Sequence, residues 1–217
     1  MEGARIGKNC SVFPGAVIAA VPQDLKFEGE DTLAEIGDNT TIRECVTINR
    51  GTSDRQKTKI GKNCLIMAYC HVAHDCFIGD YCIFSNNSTL AGHVTIGDYV
   101  ILAGLVAVHQ FCTIGDHAFI AGGSLVRKDV PPYVKAAREP LSYVGINSVG
   151  LRRRGFTSEK IAEIQNIYRI LYQKKFNNSQ ASGIIEAEMV ATPERDEIIQ
   201  FISSSQRGIM KGYFQKN

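Results

Sequence analysis

A hydrophobic residue recurs at every sixth position through the middle of the chain. Steps of six from Ile60 reach Ile60, Ile66, Val72, Ile78, Phe84, Leu90, Ile96, Leu102, Val108, Ile114, Ile120 and Val126. The residues four positions after these are small or β-branched: Cys64, Cys70, Cys76, Cys82, Ser88, Val94, Val100, Val106, Cys112, Ala118, Ser124 and Val130. The repeat predicts short strands with a turn every six residues and two columns of inward-facing side chains.

A longer period of eighteen residues groups these hexads in threes. It is marked by Ile60-Gly61-Lys62, Ile78-Gly79-Asp80, Ile96-Gly97-Asp98 and Ile114-Gly115-Asp116. Three strands per unit predict a triangular parallel β-helix whose coils stack about 4.8 Å apart. The same signal at Ile6-Gly7-Lys8 and Ile36-Gly37-Asp38 is more widely spaced. We therefore expect loops inserted near residues 19–34 and 51–58, and loops on a rigid solenoid often carry function.

The pattern changes after the repeat ends near Val130. Beyond a connecting segment that reaches Gly155, a helical stripe of Ile161, Ile164, Tyr168 and Leu171 begins, with Thr157 or Ser158 as its cap. Further helices are expected over residues 180–191 and 194–206. The sequence thus predicts a mainly β protein, with a β-helix over residues 1–136 and a connecting segment and helical domain over residues 137–217.

Charge and hydropathy exclude several classes of protein. With 24 Lys and Arg against 22 Asp and Glu, the net charge is +2, which does not predict a nucleic-acid partner. The sequence contains no apolar run long enough to predict membrane insertion, and the amino terminus lacks the pattern of a secretory signal. We expect a cytoplasmic protein.

The seven cysteines are best explained as packing residues. Their odd number excludes a fully disulfide-paired monomer, and no Cys-x-x-Cys motif occurs. All except Cys45 take the small inward position of the repeat: Cys10, Cys64, Cys70, Cys76, Cys82 and Cys112. We therefore predict core positions for these six, and Cys45 receives no role.

The histidines indicate a functional site. All five lie between residues 71 and 117, and alignment by coil brings His74, His93 and His109 to one corner of three successive coils. Gly92 occupies the same place as His74 one coil later. The three imidazoles would span roughly 10 Å, the scale of a small-ligand site. Such a group fits either a general base oriented by Asp75 or a zinc site.

A series of motifs outside the hexads carries a family resemblance. They are Gln23-Asp24-Leu25-Lys26, Ile42-Arg43-Glu44, Thr47-Ile48-Asn49-Arg50-Gly51-Thr52, His71-Val72-Ala73-His74-Asp75-Cys76, Leu90-Ala91-Gly92-His93-Val94, Val108-His109-Gln110-Phe111 and Gly150-Leu151-Arg152-Arg153-Arg154-Gly155-Phe156. Over nearly its whole length the chain resembles the UDP-N-acetylglucosamine O-acyltransferases, which are left-handed hexapeptide-repeat β-helices. The left hand is implied by this resemblance alone.

The resemblance implies a reaction and its partners. A 3-hydroxyacyl group would pass from acyl carrier protein to the 3-hydroxyl of UDP-N-acetylglucosamine, the first step of lipid A synthesis. A homotrimer with sites between subunits is implied, without a metal or cofactor. Family members usually have further coils before the position of Ile6, so we expect this chain to lack the first coils.

The resemblance also implies roles for individual residues. His74 would be the general base, Asp75 its carboxylate partner, and the Gly92 amide the oxyanion donor. The expected contacts to the sugar, the phosphates or the acyl-donor arm are Asp24, Lys26, His71, His93, His109 and Gln110. Asn147, Arg153 and Arg154 would bind the nucleotide diphosphate, and Ala118 and Gly122 the acyl chain. Arg127, Lys128 and Arg138 would attract the acidic carrier protein, and Val149 replaces a glutamate of some relatives.

Three alternatives remain open at this stage. Another hexapeptide acyltransferase, such as the N-acyltransferase acting on UDP-3-O-acylglucosamine or an acetyl-CoA-dependent enzyme, would share the hexads. A γ-class carbonic anhydrase would use the histidines to bind zinc. A non-catalytic β-helix scaffold would leave the aligned histidines without a purpose.

Overall fold

The hexads form two-residue strands separated by tight turns in the computed structural model, which describes residues 1–173 and 176–213. The strands of the repeat are β1 (Ala4–Ile6), β2 (Ser11–Val12), β3 (Val17–Ala20), β4 (Leu33–Ile36), β5 (Thr41–Ile42), β6 (Thr47–Asn49), β7 (Lys57–Ile60), β8 (Leu65–Ile66), β9 (His71–Val72), β10 (Phe77–Ile78), β11 (Ile83–Phe84), β12 (Thr89–Leu90), β13 (Thr95–Ile96), β14 (Ile101–Leu102), β15 (Ala107–Val108), β16 (Thr113–Ile114), β17 (Phe119–Ile120) and β18 (Leu125–Val126). Every third strand belongs to the same sheet, so each set of three makes one coil.

Successive coils pair in parallel to give the three faces of a triangular prism. Within the regular part, each residue pairs with the one eighteen positions later; Phe77 is opposite Thr95, and Thr95 is opposite Thr113. The sheet orders are β1-β4-β7-β10-β13-β16, β2-β5-β8-β11-β14-β17 and β3-β6-β9-β12-β15-β18. The predicted period of one coil is confirmed.

The interior contains the two predicted columns. Every member of the series from Ile60 to Val126 is buried, as is every member of the series from Cys64 to Val130. Five of the cysteines lie in this core, and burial raises the pKa of Cys70 to about 11. Cys10 departs from the prediction because its coil is the first, and its side chain is only half-buried. Cys45 is exposed.

The turns between strands place non-glycine residues in the left-handed region of backbone space. From Asn63 to His117, every sixth residue has φ between 54° and 63°. In these turns the corner N–H donates to a carbonyl one coil earlier, as from His93 to His74 O at 3.1 Å and from Phe111 to Gly92 O at 3.2 Å. We name the three edges of the prism by one member each: the Tyr81 corner (Asn63, Tyr81, Tyr99, His117), the Asn87 corner (Tyr69, Asn87, Leu105, Gly123) and the His93 corner (Asp75, His93, Phe111).

Two long segments interrupt the coils before residue 60. One runs from the end of β3 at Ala20 to the start of β4 at Leu33, and the other from the end of β6 at Asn49 to the start of β7 at Lys57. We call the second segment, residues 50–56, the insertion loop. It leaves the face that carries β9 and therefore emerges beside the His93 corner.

Residues 134–213 close the end of the β-helix. The elements are β19 (Val134–Ala137), β20 (Ser142–Ile146), α1 (Ser148–Arg153), α2 (Ser158–Gln173), α3 (Asn178–Glu188), α4 (Pro193–Ser204) and β21 (Lys211–Gly212). The sequence predicted a connecting segment here without strands. The structure has two: β19 continues the sheet of β17 and pairs antiparallel with β20. The α2 stripe is buried as predicted, and Lys160 N donates to Thr157 Oγ1 at its start. The domain boundary at residue 136 stays a prediction.

Aromatic rings stack along the Tyr81 corner. Ring centroids lie 4.7 Å apart for Tyr81 and Tyr99, 4.8 Å for Tyr99 and His117, and 5.5 Å for His117 and Tyr133. The buried Nδ1 of His117 has no hydrogen-bond partner in the described part of the chain. Burial, followed by the nearby Arg154 guanidinium, lowers the pKa of His117 from 6.5 to about 4. The ring is therefore kept neutral inside the stack.

Substitution His117→Phe should reduce the acid sensitivity of the fold. The unfolded chain takes up a proton on this histidine as the pH falls through 6.5, whereas the folded chain does so only near pH 4. The histidine therefore lowers the free energy of unfolding progressively over that window, and phenylalanine can stack without titrating. Urea unfolding between pH 7 and pH 4 measures the effect, with Tyr81→Phe as the control. An identical pH dependence in wild type and His117→Phe would contradict this account.

Candidate active site

His74 and Asp75 form a hydrogen-bonded pair at the His93 corner. Nδ1 of His74 donates to Oδ2 of Asp75 at 2.8 Å. The two residues follow β9 after Ala73, and Asp75 takes the left-handed turn conformation with φ 59°. That turn directs its carboxylate toward the insertion loop. Since Nδ1–H is held by the carboxylate, the opposite nitrogen of His74, Nε2, is left as the basic atom.

The insertion loop provides the remaining partners of the buried Asp75 carboxylate. Thr52 donates its backbone N–H to Oδ1 at 3.0 Å and its hydroxyl to Oδ2 at 2.7 Å, and Arg55 N donates to Oδ1 at 3.2 Å. Burial by itself raises the pKa of Asp75, but the hydrogen bonds from His74 and Thr52 outweigh it, so the pKa is lowered. Asp75 is therefore a fixed anion beside the imidazole.

Gly92 lies directly against the free edge of the His74 ring. A Cβ placed on Gly92 would be 2.7 Å from both Cε1 and Nε2 of His74, closer than real side-chain contacts allow. The position therefore requires glycine. The Gly92 residue is buried, and its backbone N–H donates to no acceptor among the described residues. An unused buried amide beside a basic nitrogen is suited to bind a developing negative oxygen.

His93 forms the wall beside this pair. Its ring is perpendicular to that of His74, with centroids 5.1 Å apart, and stacks on Phe111 at 4.7 Å. Nδ1 of His93 lies 3.2 Å from Oδ2 of Asp54, and Nε2 lies 3.8 Å from Oδ2 of Asp75. The corner thus holds two histidine–carboxylate pairs.

Cavities lie on both sides of the stacked His93 and Phe111 rings. One, of about 300 Å³, is lined by Asp24, Lys26, Glu30, Thr52, Ser53, Asp54, His93 and Phe111. The other, of about 250 Å³, is lined by Arg55, His93, Thr95, Phe111, Thr113, Asp129, Phe201, Ser204, Ser205 and Gln206. The first insertion and the β-helix therefore bring Asp24 and Lys26 to His93, as expected for residues of one site.

Three further predicted residues lie near the His93 corner: His71 is on β9, and His109 and Gln110 precede Phe111. Nδ1 of His71 shares a 2.7 Å hydrogen bond with Thr47 Oγ1, and burial followed by the charge of His74 lowers the pKa of His71. His109 and Gln110 occupy the next coil beside Phe111, and both side chains are exposed. Their roles toward a substrate stay predictions.

The nucleotide residues and the acyl-chain residues do not join this corner within one chain. Asn147 is buried at the start of α1, where Oδ1 accepts from Gly150 N and Nδ2 donates to His117 O. Arg154 donates to Tyr99 O at 3.0 Å, so both lie at the Tyr81 corner. Arg153 is exposed in the last turn of α1.

Ala118 packs inside the β-helix. Its side chain is fully buried in the inward column, and its role toward the acyl chain stays a prediction. The position belongs to the series that starts at Cys64, whose members all point inward. Gly122 is exposed at the Asn87 corner and stays a predicted contact.

The zinc alternative has a geometric basis, which the hydrogen bonds weaken. Ligand atoms of His74, Asp75 and His93 all lie within 4.8 Å of one another. However, both oxygens of Asp75 already accept hydrogen bonds from Thr52, from Arg55 and from His74 itself. A metal ion would have to displace these donors, so the residues present fit a proton-transfer site better than a zinc site.

Comparisons with known proteins agree on one family. Residues 129–210 match the family described as "Udp N-acetylglucosamine O-acyltransferase; Domain 2", and residues 57–92 match "Bacterial transferase hexapeptide (six repeats)". An acyl-[acyl-carrier-protein]--UDP-N-acetylglucosamine O-acyltransferase of Thermodesulfovibrio yellowstonii is 47% identical over 97% of this chain and 83% of its own length. The chain belongs to the UDP-N-acetylglucosamine O-acyltransferase family.

Solved structures of UDP-N-acetylglucosamine O-acyltransferases share the fold. The enzyme from Bacteroides fragilis 9343 matches with a TM-score of 0.95 and 52% identity, covering 96% of this chain and 82% of the other. The protein from Acinetobacter baumannii matches with a TM-score of 0.93 and 42% identity over the same shares. The left-handed parallel β-helix and the C-terminal helices expected from the sequence are confirmed.

Thr52, Asp54 and Arg55 were missed as site residues, although the loop that carries them was expected to have a function. The loop shows no hexad phase, and although Thr52 ends the motif that starts at Thr47, nothing in the sequence indicates that Thr52, Asp54 or Arg55 faces the histidines. The family assignment does not single them out either. Only the folded chain shows that Thr52 and Arg55 donate hydrogen bonds to Asp75 and that Asp54 forms an ion pair with His93.

Thr52→Val should destabilise this member of the O-acyltransferase family. The substitution keeps the volume but removes a buried 2.7 Å hydrogen bond to an ionised carboxylate, which costs about 1–3 kcal/mol of unfolding free energy. Thr58→Val is the matched control, because the buried Thr58 hydroxyl has no partner within the described residues. Urea unfolding at pH 7 compares the two variants. Equal free energies of unfolding would show that the Thr52 hydroxyl does not stabilise Asp75.

Proposed function

We propose that this chain transfers a 3-hydroxyacyl group from acyl carrier protein to the 3-hydroxyl of UDP-N-acetylglucosamine, the first step of lipid A synthesis. The proposal is carried by one observation: the basic Nε2 edge of His74, polarised by a buried aspartate, lies against Gly92, whose backbone amide donates to no described acceptor. The curated relatives are named for a transfer between these two substrates. Base and oxyanion donor are the groups that acyl transfer needs.

His74 is the general base of the proposed mechanism. Its Nε2 takes the proton from the sugar 3-hydroxyl as the oxygen attacks the thioester carbonyl, and Asp75 holds Nδ1–H and stabilises the imidazolium that forms. The carbonyl oxygen becomes negative and accepts a hydrogen bond from the Gly92 amide. When the carbon–sulfur bond breaks, the imidazolium gives its proton to the departing sulfur, which leaves as the thiol of the carrier protein.

The cavity with Asp24 and Lys26 is the proposed entry of the sugar nucleotide into this corner. Asp24 is fixed by accepting from Lys26 N at 3.0 Å, and the two side chains share the cavity with His93. A carboxylate can accept from sugar hydroxyls, and an ammonium group pairs with phosphate. His71, His109 and Gln110 border the same corner and complete the proposed contacts to the acceptor and the acyl-donor arm.

A homotrimer is part of the proposal. Asn147 and Arg154 lie at the Tyr81 corner and Gly122 lies at the Asn87 corner, whereas His74 lies at the His93 corner. One β-helix cannot bring two of its own edges to one small ligand. Association of copies about a three-fold axis would place the nucleotide contacts of one copy beside His74 of the next.

The proposed reaction takes place in the cytoplasm and uses no cofactor. No described helix is both long and apolar enough to cross a membrane. Both proposed substrates carry large polar groups, and the site residues are hydrogen-bonded side chains and an amide. The exposed basic side chains Arg127, Lys128 and Arg138 lie near the end of the repeat, where they would attract an acidic carrier protein.

Incubation with nucleotide sugars and a panel of acyl carrier protein thioesters tests the reaction. Mass spectrometry should detect 3-O-acylation of UDP-N-acetylglucosamine, and His74→Ala should lower the rate by about 10²-fold or more because the base is lost. Melting temperature serves as the control for folding. Near-normal turnover by His74→Ala would refute the base, and exclusive acylation of UDP-3-O-acylglucosamine would favour the N-acyltransferase. Stoichiometric zinc without acyl transfer would favour the carbonic anhydrase.

Gly92→Ala should impair turnover through a steric clash with His74. The added Cβ would lie 2.7 Å from Nε2, so the imidazole must move out of line with the amide. We expect kcat to fall at least tenfold, because even a small displacement of the general base from its reactive position lowers the rate strongly. Gly104→Ala is the control: Gly104 has the same turn position at the Asn87 corner, and its Cβ would meet only Asn86 O, at 3.5 Å. Equal kcat for both variants would contradict the proposed role of Gly92.

A further inference from the structure

We propose that Asp54 is a positioning residue for acyl transfer, which acts by fixing the ring of His93. The inference rests on the proposed function and adds a residue that neither the sequence motifs nor the relatives' names assign. Asp54 Oδ2 lies 3.2 Å from Nδ1 of His93. This is an ion-pair distance, so the negative charge of Asp54 favours the ring orientation that turns a protonated Nδ1 toward it and Nε2 toward the site.

The orientation of His93 is otherwise incompletely defined. Stacking on Phe111 at an interplanar angle of 16° fixes the plane of the ring. A half-turn of the imidazole about χ2 keeps that stack but replaces Nδ1 and Nε2 with carbon atoms. Asp54 favours one of the two orientations, because its negative charge attracts a protonated ring nitrogen more strongly than a ring carbon. Pairing with Asp54 thus specifies which atoms His93 presents to the reaction.

The selected orientation matters because His93 contacts the catalytic pair. Nε2 of His93 lies 3.8 Å from Oδ2 of Asp75, the oxygen that accepts the hydrogen bond from His74. The perpendicular rings of the two histidines are 5.1 Å apart at their centroids. A turned His93 ring would present a carbon atom to this oxygen and to any substrate in the adjoining cavity.

The insertion loop holds Asp54 in place without help from its side chain. Thr32 Oγ1 donates to Gly51 O at 2.6 Å, Gln56 N donates to Thr52 O at 2.9 Å, and Gln56 Nε2 donates to Ser53 O at 2.8 Å. The Asp54 side chain itself is 66% exposed. Exposed ion pairs contribute little to stability, so Asp54 can be substituted without unfolding the loop.

A double-mutant cycle on the full-length protein tests the inference. Asp54→Ala should lower kcat about 10- to 100-fold, as is typical when a partner that orients a functional histidine is lost, with KM for UDP-N-acetylglucosamine changed less. Asp54→Asn should recover part of kcat, since its amide oxygen keeps a partial negative charge beside Nδ1. In a His93→Asn background, Asp54→Ala should have no further effect. Asparagine is tolerated here because Asn63 and Asn87 take the same corner conformation.

Asp31→Asn is the matched control, since this exposed aspartate forms no side-chain hydrogen bond or ion pair with the described residues. Equal kcat for Asp54→Ala and Asp31→Asn overturns the inference, as does an Asp54→Ala effect that persists undiminished with His93→Asn. If His93→Asn leaves no measurable turnover, ring ¹⁵N shifts decide: a protonated Nδ1 should be seen in wild type and lost in Asp54→Ala, and an unchanged pattern overturns the inference. Absence of transfer by the wild type would instead refute the proposed function.

Discussion

Hydrogen bonding between residues one coil apart is the interaction on which the rest of the structure depends. The two-residue strands have no stability of their own, and each is held only by the strands of the coils before and after it. The same stacking holds the corner residues at positive φ, a conformation that costs non-glycine residues about 1–2 kcal/mol each. Residues one full coil apart in sequence thereby become neighbours, which is how Gly92 comes to lie against His74.

Stacking aligns the site, but it does not complete it. A bare β-helix would leave the Asp75 carboxylate with the hydrogen bond from His74 but without those from Thr52 and Arg55. The insertion loop supplies those donors, so the anion is kept where an imidazolium must be stabilised. The regular part of the fold therefore sets the distances between catalytic groups, and the irregular part sets their charge and orientation.

The sequence predicted correctly those features that follow from the six-residue repeat or from the helical period. The two buried columns, the coil of eighteen residues, the meeting of His74 with Gly92 and the stripe of α2 could all be predicted, because one repeat or one motif determines each of them. Thr52, Asp54 and Arg55 could not, since a loop outside the repeat has no fixed relation to the corner until it folds. β19 and β20 were missed because their residues follow no hexad, whereas the burial of Ala118 follows from its place in the inward column.

Because the three faces of the prism have the same hexad pattern, folding and catalysis place different requirements on the sequence. A deletion of six residues between Cys76 and Leu90 would return every later aliphatic residue to an inward position and leave a full set of parallel pairs. The same deletion would carry Gly92, His93 and Phe111 around the prism to the next edge, away from His74 and the insertion loop. Selection for burial of the aliphatic residues and for strand pairing would therefore not remove a deletion of one hexad. Only catalysis requires the site residues to lie on one particular edge of the prism. Insertions or deletions can therefore be tolerated within loops, or as whole coils outside the site.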